Sequence, residues 1–493
     1  MNITFRLGAC LLLLEACSHA PPLTTSVPAV SAAAGFLAGA AARDITPDLA
    51  RSSQTVYVAG LERGSAATGI RDPLFARALV MTDRKGVTVG LVILDLIGFF
   101  HDDVEELREE LKRRHPETTI DYLAVASTHT HAGPDVLGLW TPVGGSVDAD
   151  YVAHVRSEAV EAVAEAWRLR RPALVYTGTA TAPGLAIDTR LPEVIDETVM
   201  VMGLRAASDG SGIAALVQWN SHPSVMGGDN TEISADFPRH VVQVVEKEWG
   251  GTALYASGAL GGQIGSGRLK ISDPATGKRA ATRARLAEIV GGRIGEIALG
   301  ALQEAGATGD VRDPMFRWRS RGVLVPLDNP RFTEGLAIGL IRARRLYPLP
   351  AKGPRDDAGT GWLPQALPRD WTLHPGAYAL KSEVAVVDLG PIRWVLVPGE
   401  LYPELSIGGI QQPQDPGADF PGAPSEPALR RLSARQIFII GLANDELGYI
   451  IPRSEWDSEP PYAYGREEPQ YGEKNSCGPG TAPILLNALA DLL

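Results

Sequence analysis

Residues 86–99 (GVTVGLVILDLIGF) form a nearly unbroken apolar run, and this run restricts the fold more than any other feature. A half-solvated strand alternates apolar and polar side chains, so a run without a polar face reads as a strand buried on both sides. Residues 122–127 (YLAVAS) repeat the pattern. Between them, residues 101–115 are charged at helical spacing and predict a surface helix. The rhythm continues with an amphipathic helix over 148–169 and strands at 173–177, 198–204 and 213–219. A helix follows over 238–249, then a strand at 253–256 and a helix over 279–304. A hairpin joins 381–389 to 393–397 across Gly390-Pro391, a strand covers 436–440, and a helix covers 482–493. Interleaved buried strands and amphipathic helices predict an α/β, or mixed α+β, fold. The expected architecture is one large domain with central mixed β-sheets flanked by helices and a site at the strand ends.

Composition narrows the function classes. The 58 acidic residues outnumber 46 basic ones, giving a net charge of −12, and no basic block interrupts the chain. Nucleic acid is therefore not an expected partner. With 45% apolar and 21% charged residues the chain is of globular type rather than disordered. Three cysteines cannot form a disulfide framework. Two of them, Cys10 and Cys17, lie in or beside an apolar stretch (7–16) behind Arg6 that is too short to span a bilayer. Ala16 precedes Cys17, and a Ser/Pro/Thr/Ala-rich stretch follows. This looks like a bacterial lipoprotein signal. The expected organisation is a signal peptide over 1–17, a flexible tether over 18–38 and a catalytic domain over 39–493. A lipid on Cys17 would associate the protein with the membrane. The expected location is the periplasm or cell surface as a lipoprotein, or otherwise the secreted fraction. Cys477 reads as structural. The proline-rich stretch 347–376 reads as a long loop shaping the mouth of a site.

Four strand ends carry the chemistry. The strand at 122–127 runs out into Ser127-Thr128-His129-Thr130-His131-Ala132-Gly133-Pro134. In an extended chain, histidines one residue apart project to the same side and can meet one ion. Alone, the pair is a weak signal. The strand at 213–219 ends in Asn220-Ser221-His222-Pro223, again a histidine at a strand exit. Asp236, just before the next helix, suits an N-cap or a hydrogen bond to a ligand histidine. The strand ending at Val397 leads through Pro398-Gly399 to Glu400, placed as a helix-opening carboxylate or a metal ligand. The strand at 436–440 leads through Ala443-Asn444 to Gly448-Tyr449.

Taken in order, His-Thr-His-x-Gly-Pro, a lone His after an apolar strand, Pro-Gly-Glu and Ala-Asn-x-x-x-Gly-Tyr resemble the catalytic domain of the neutral/alkaline (non-lysosomal) ceramidase family. The resemblance runs from Asp44-Ile-Thr-Pro to Tyr464. It implies a single zinc ion held by His129, His222, Glu400 and Tyr449, with His131 facing the substrate and the water. Arg190 falls where the family has a substrate-contacting arginine. Position 461 is proline where the family has a second tyrosine, so Tyr462 or Tyr464 is expected to serve as the catalytic hydroxyl. The loop 257–264 lacks the family's aspartate, which leaves a second, structural Mg2+ or Ca2+ open. The 44 residues after Tyr449 (493 − 449) leave no room for the family's C-terminal immunoglobulin-like domain of about 100 residues.

The activity this implies is hydrolysis of the amide bond of ceramide or a related N-acyl lipid. Zinc would make a hydroxide available near neutral pH. His131 would orient the water, and a tyrosine would stabilise the oxyanion. Two other readings fit the same residues. One is a zinc-dependent hydrolase of esters or other acyl amides. The other is a non-catalytic, lipid-binding surface lipoprotein.

Overall fold

The run 86–99 forms the strand Thr88–Leu94, with every residue buried. Its side chains alternate between two cores. Val92 and Leu94 belong to one apolar cluster, while Val89, Leu91 and Ile93 belong to another. Both faces are thus covered, which is why no polar alternation appears in the sequence. The structure, a computed structural model, describes residues 35–349 and 376–493 apart from 53, 61, 310, 312, 313, 338 and 340. The expected export signal (1–17), most of the tether (18–38) and most of the proline-rich stretch (347–376) lie outside the described residues.

Eight strands form the larger sheet. In spatial order they are Thr252–Ser257, Gly212–Trp219, Thr198–Ala206, Arg171–Thr181, Leu37–Asp44, Phe75–Thr82, Thr88–Leu94 and Tyr122–Ser127. Only the outermost pair at each edge is parallel. The smaller sheet runs Phe316–Pro326, Tyr378–Leu389, Ile392–Leu396 and Gln436–Ile440, with Leu346–Pro348 added on Tyr378–Leu389. The two sheets face each other. Leu79, Met81 and Ile93 of the larger one share a core with Val387, Trp394 and Phe438 of the smaller. The helices Ala149–Arg168, Phe237–Trp249 and Arg283–Thr308 cover the outer face of the larger sheet, and Thr481–Leu492 covers that of the smaller. The molecule is a helix–sheet–sheet–helix stack, a mixed α/β fold as the strand and helix rhythm predicts.

Several expected elements fall within a few residues of the observed ones, and local chemistry explains their ends. Asp148 caps the helix Ala149–Arg168, accepting from Asp150 N and Tyr151 N. Asp236 caps Phe237–Trp249, with Phe237 N donating to Oδ1 at 2.6 Å and Met226 N to Oδ2 at 2.9 Å. It makes no hydrogen bond to a histidine, so the capping reading holds. Buried Cys477 lies with its Sγ 3.4 Å from Leu447 O, in a structural setting. The strand Leu37–Asp44 starts before residue 39, inside the stretch expected as tether, and Phe36 is already buried. No helix among the described residues is long and apolar enough to cross a membrane.

Candidate metal centre

The site lies where the two sheets are stitched together at their strand ends. Asn444 makes the stitch. Its backbone N–H donates to Val125 O at 2.6 Å, and its side-chain oxygen accepts from Val125 N at 3.1 Å. Its Nδ2 donates to Tyr122 Oη and Glu383 Oε1 at 2.9 and 3.0 Å. Asn444 sits at φ 65°, a left-handed conformation that asparagine tolerates better than most residues. Backbone bonds from Gly258 N to Trp219 O, Gly441 N to Ser257 O and Val397 N to Ile440 O bring the exits of Gly212–Trp219, Ile392–Leu396 and Gln436–Ile440 to the same place.

His129, His131, His222, Glu400 and Tyr449 meet there. The ring centroids of the three histidines lie 4.8 to 5.4 Å apart. One ligand nitrogen from each lies within 4.8 Å of the others. The path of the histidine pair differs from expectation. The strand ends at Ser127, and His129 stands at φ 66°, left-handed rather than extended. The two rings converge because backbone bonds from His129 N to Leu96 O and from His131 N to Pro223 O bend the chain inward. Such a conformation in a non-glycine residue costs about 1–3 kcal/mol and persists where surrounding structure enforces it, commonly at functional sites. Glu400 also differs from expectation. It does not open a helix. It pairs with Tyr449 in a two-residue parallel bridge, Glu400–Leu401 against Tyr449–Ile450, and the helix begins only at Pro403. That bridge sets the carboxylate and the phenol side by side.

The donor atoms fit a zinc ion. His129 Nδ1 donates to Ile97 O at 2.6 Å, which turns the Nε2 lone pair inward. Glu400 Oε2 lies 2.8 Å from His222 Nε2 and 3.3 Å from His129 Nε2, and Tyr449 Oη lies 3.3 Å from His222 Nε2. Tetrahedral ligands held about 2.0–2.1 Å from zinc stand roughly 3.3 Å from one another, which matches this spacing. His129 Nε2 and both ring nitrogens of His131 are buried without a hydrogen-bond partner, an arrangement that needs a reason. Burial opposes ionisation of Glu400, but the His129 and His222 imidazoles outweigh it and hold the carboxyl well below the usual range. Burial, followed by repulsion from His129 and His222, pushes His131 well below the ordinary imidazole range. The surroundings therefore favour the neutral ring of His131.

A cavity of about 380 Å³ opens onto these groups. Ile97, Phe100, Leu137, Trp140, Phe332 and Ile341 form its apolar wall. Two further polar residues in it carry no marker in the sequence. Tyr471 stacks edge-on against Tyr449 at 5.7 Å, and its hydroxyl accepts from Asn475 Nδ2 at 3.0 Å. Glu446 presents a buried carboxyl whose Oε1 accepts from Gly448 N at 2.9 Å and whose Oε2 has no partner. Burial and the neighbouring Glu400 raise its pKa well above the carboxylate range. Gly98 leaves it room, since a Cβ there would lie 2.8 Å from Glu446 Cγ.

Three expected site residues lie away from this cavity. Tyr462 and Tyr464 flank a turn that packs on the loop at Gly417 and is tied by Ala463 N to Asp457 Oδ1 at 3.0 Å. Neither lines the cavity, whereas Tyr471 does. Arg190 is almost fully buried. Its guanidinium takes Glu473 at 2.6 and 3.0 Å and donates to the carbonyls of Tyr471 and Glu455. It supports the segment carrying Tyr471 and does not line the cavity. The loop 257–264 backs His222, whose N–H donates to Gln263 O at 3.1 Å. Gly261 lies so close to Tyr402 that a Cβ would stand 2.6 Å from the ring. Among the described residues, the histidine group is the one cluster of three or more such ligands with metal-holding geometry.

This stack of two facing sheets, with ligands gathered at their strand ends, is a known fold. The crystal structure of neutral ceramidase from Pseudomonas aeruginosa superposes with a TM-score of 0.67 over 93% of this chain and 74% of that one, at 17% identity. A second solved structure, a ceramidase complexed with C2, superposes with a TM-score of 0.66 over 93% and 75%, also at 17% identity. The chain therefore has the neutral ceramidase fold, as the order of its motifs implies. No protein-family model and no curated protein matches the sequence.

Proposed function

We propose that the protein is a zinc-dependent hydrolase that cleaves the amide bond of ceramide or a related N-acyl lipid. One observation carries this reading: His129 Nε2, His222 Nε2, Glu400 Oε2 and Tyr449 Oη converge at the floor of an apolar cavity. A zinc ion held by these four residues would act as a Lewis acid and bring the pKa of a coordinated water toward neutrality. The chain supplies the rest. The apolar wall binds an acyl chain and excludes bulk water. Neutral His131 accepts a proton at a ring nitrogen and returns it to the leaving amine. The Tyr471 hydroxyl donates a hydrogen bond to the oxygen on which charge develops. The N-terminal pattern supports export with a lipid on Cys17, which would hold the cavity near membrane lipid.

The test is metal content together with hydrolysis of a fluorescent ceramide before and after chelation. A single zinc per chain, activity lost on chelation and restored by zinc, and loss of both in His129→Ala are expected. Activity indifferent to chelation refutes the proposal.

A further inference from the structure

Basic side chains line part of the cavity. Arg63, Arg331 and Lys474 all line it and all are exposed. None has a carboxylate within 4.0 Å among the described residues. Other arginines of this acidic chain do find carboxylates, such as Arg77 with Glu246 at 2.6 Å, Arg285 with Asp273 at 2.9 Å and Arg319 with Asp388 at 3.2 Å. Arg63 is also held in place, since its Nη1 donates to Thr141 O at 3.1 Å beside Trp140. Arg331 lies in the first turn of the helix Pro330–Ala337, where a cation opposes the helix dipole, so helix stability does not account for it. The next residue, Phe332, forms part of the apolar wall. Lys474 follows closely on Tyr471. Two carboxyls share the cavity. Glu400 lies among the metal donors, and Glu446 is buried among the lining residues. Arg331 and Lys474 also line an adjoining depression, which Asp328, Glu334, Asp419, Glu459 and Glu473 share. Three cations with no carboxylate in ion-pair range thus line one cavity, where each can meet an anionic group of a ligand.

We propose that the substrate carries an anionic head: an N-acyl amide whose amine half bears a carboxylate, of the N-acyl amino acid type. The acyl chain lies along the apolar wall, the amide reaches the metal donors, and the carboxylate meets Arg63, Arg331 and Lys474. The recognition rests on the same cavity as the hydrolase reading. In the reaction, the oxygen of water joins the acyl carbon, the C–N bond breaks and the nitrogen takes up the proton. A fatty acid and a free amino acid are released.

Calorimetric titration of the full chain with N-lauroylglycine and with uncharged N-lauroylglycinamide tests this. Roughly tenfold tighter binding of the acid at low salt is expected. The Arg331→Ala/Lys474→Ala double variant should lose that preference while keeping its affinity for the glycinamide. Equal affinity for the two ligands, or preference for the glycinamide, overturns the proposal. A parallel arm uses vesicles of neutral and of anionic phospholipid. If the double variant loses binding to anionic vesicles but keeps the preference for N-lauroylglycine, the rim docks on membranes and the proposal is overturned. Hydrolysis is followed in the same samples. Charge preference without hydrolysis of either amide removes the hydrolase reading and leaves the recognition standing.

Discussion

Tyr402 separates two buried polar clusters that settle their charge in opposite ways. Its ring faces Arg190 at 5.5 Å on one side and Tyr449 at 5.8 Å on the other. On the first side, Arg190 is closed by the Glu473 carboxylate at 2.6 and 3.0 Å, which also accepts from Asp457 N at 3.0 Å. Burial would drive the guanidinium toward neutrality, but Glu473 beside it more than offsets this and raises its pKa. On the second side, Glu400 Oε2 and Tyr449 Oη lie 2.8 and 3.3 Å from His222 Nε2, while His129 Nε2, His222 Nδ1 and both ring nitrogens of His131 have no hydrogen-bond partner. The first cluster pairs its buried cation with its own carboxylate, leaving Arg190 Nε and Asp457 Oδ2 as its unpartnered atoms, so it holds structure. The second leaves four imidazole nitrogens at one place without a partner, and buried donors and acceptors kept in that state mark a place for a ligand.

The largest expected effect is on the closed cluster. Glu473→Ala leaves Arg190 buried and unpaired and should cost about 3–5 kcal/mol in denaturant unfolding, while the folded protein still takes up zinc. Native stability in that variant would break the contrast. On the open cluster, zinc at 1,000 times its dissociation constant should stabilise the protein by about 4 kcal/mol, and His222→Ala should abolish the increment. A metal-induced gain that persists in His222→Ala would place the ion elsewhere. Tyr471→Phe should lower kcat about 100-fold with zinc content unchanged, whereas Tyr464→Phe should leave kcat near wild type. The reverse pattern would return the catalytic hydroxyl to the turn at 463–465. The smallest effect concerns a second closed cluster at Asp388. Burial works to raise this carboxyl, but Arg393 and Arg435 outweigh it and hold the pKa to about 2. Its folded-state pKa lies below the unfolded value near 4, so its stabilisation is present above that value and is lost as pH falls toward 2. Asp388→Asn should flatten the acid limb of a stability-versus-pH curve, and an unchanged limb would assign acid sensitivity to other groups.

Much of this architecture is legible in the chain. Tyr122–Ser127 and Gln436–Ile440 are readable to the residue, because a strand buried on both faces shows as a short apolar run with polar ends. His129, His222, Glu400 and Tyr449 are readable as candidates because each follows such a run, and their order resembles a known family. Tyr471 is not. It follows no strand, lies among Gln470, Gly472 and Glu473, and enters the cavity only because Arg190 and Tyr402 hold the carbonyl of its own backbone. Tyr462 and Tyr464 lie nearer to Tyr449 along the chain, but their turn is tied away from the cavity by Asp457. Arg190 shows the same limit, since an arginine expected to face substrate is consumed by a carboxylate 283 residues further on. The basic rim draws on three segments that are unconnected in sequence.

The sequence by itself determines the alternation of strands and helices, the acidic balance and the strand-end positions of the metal-ligand candidates. These are local properties, written in hydrophobic period and turn chemistry. Only the tertiary structure decides which candidates meet. Glu400 faces His129 and His222 through a two-residue bridge to Tyr449, Asn444 draws two sheets together at their ends, and Glu473 withdraws Arg190 from the cavity. Those outcomes depend on contacts between residues hundreds of positions apart, where pairing and burial, not local pattern, set whether a polar group is closed or left open for a ligand.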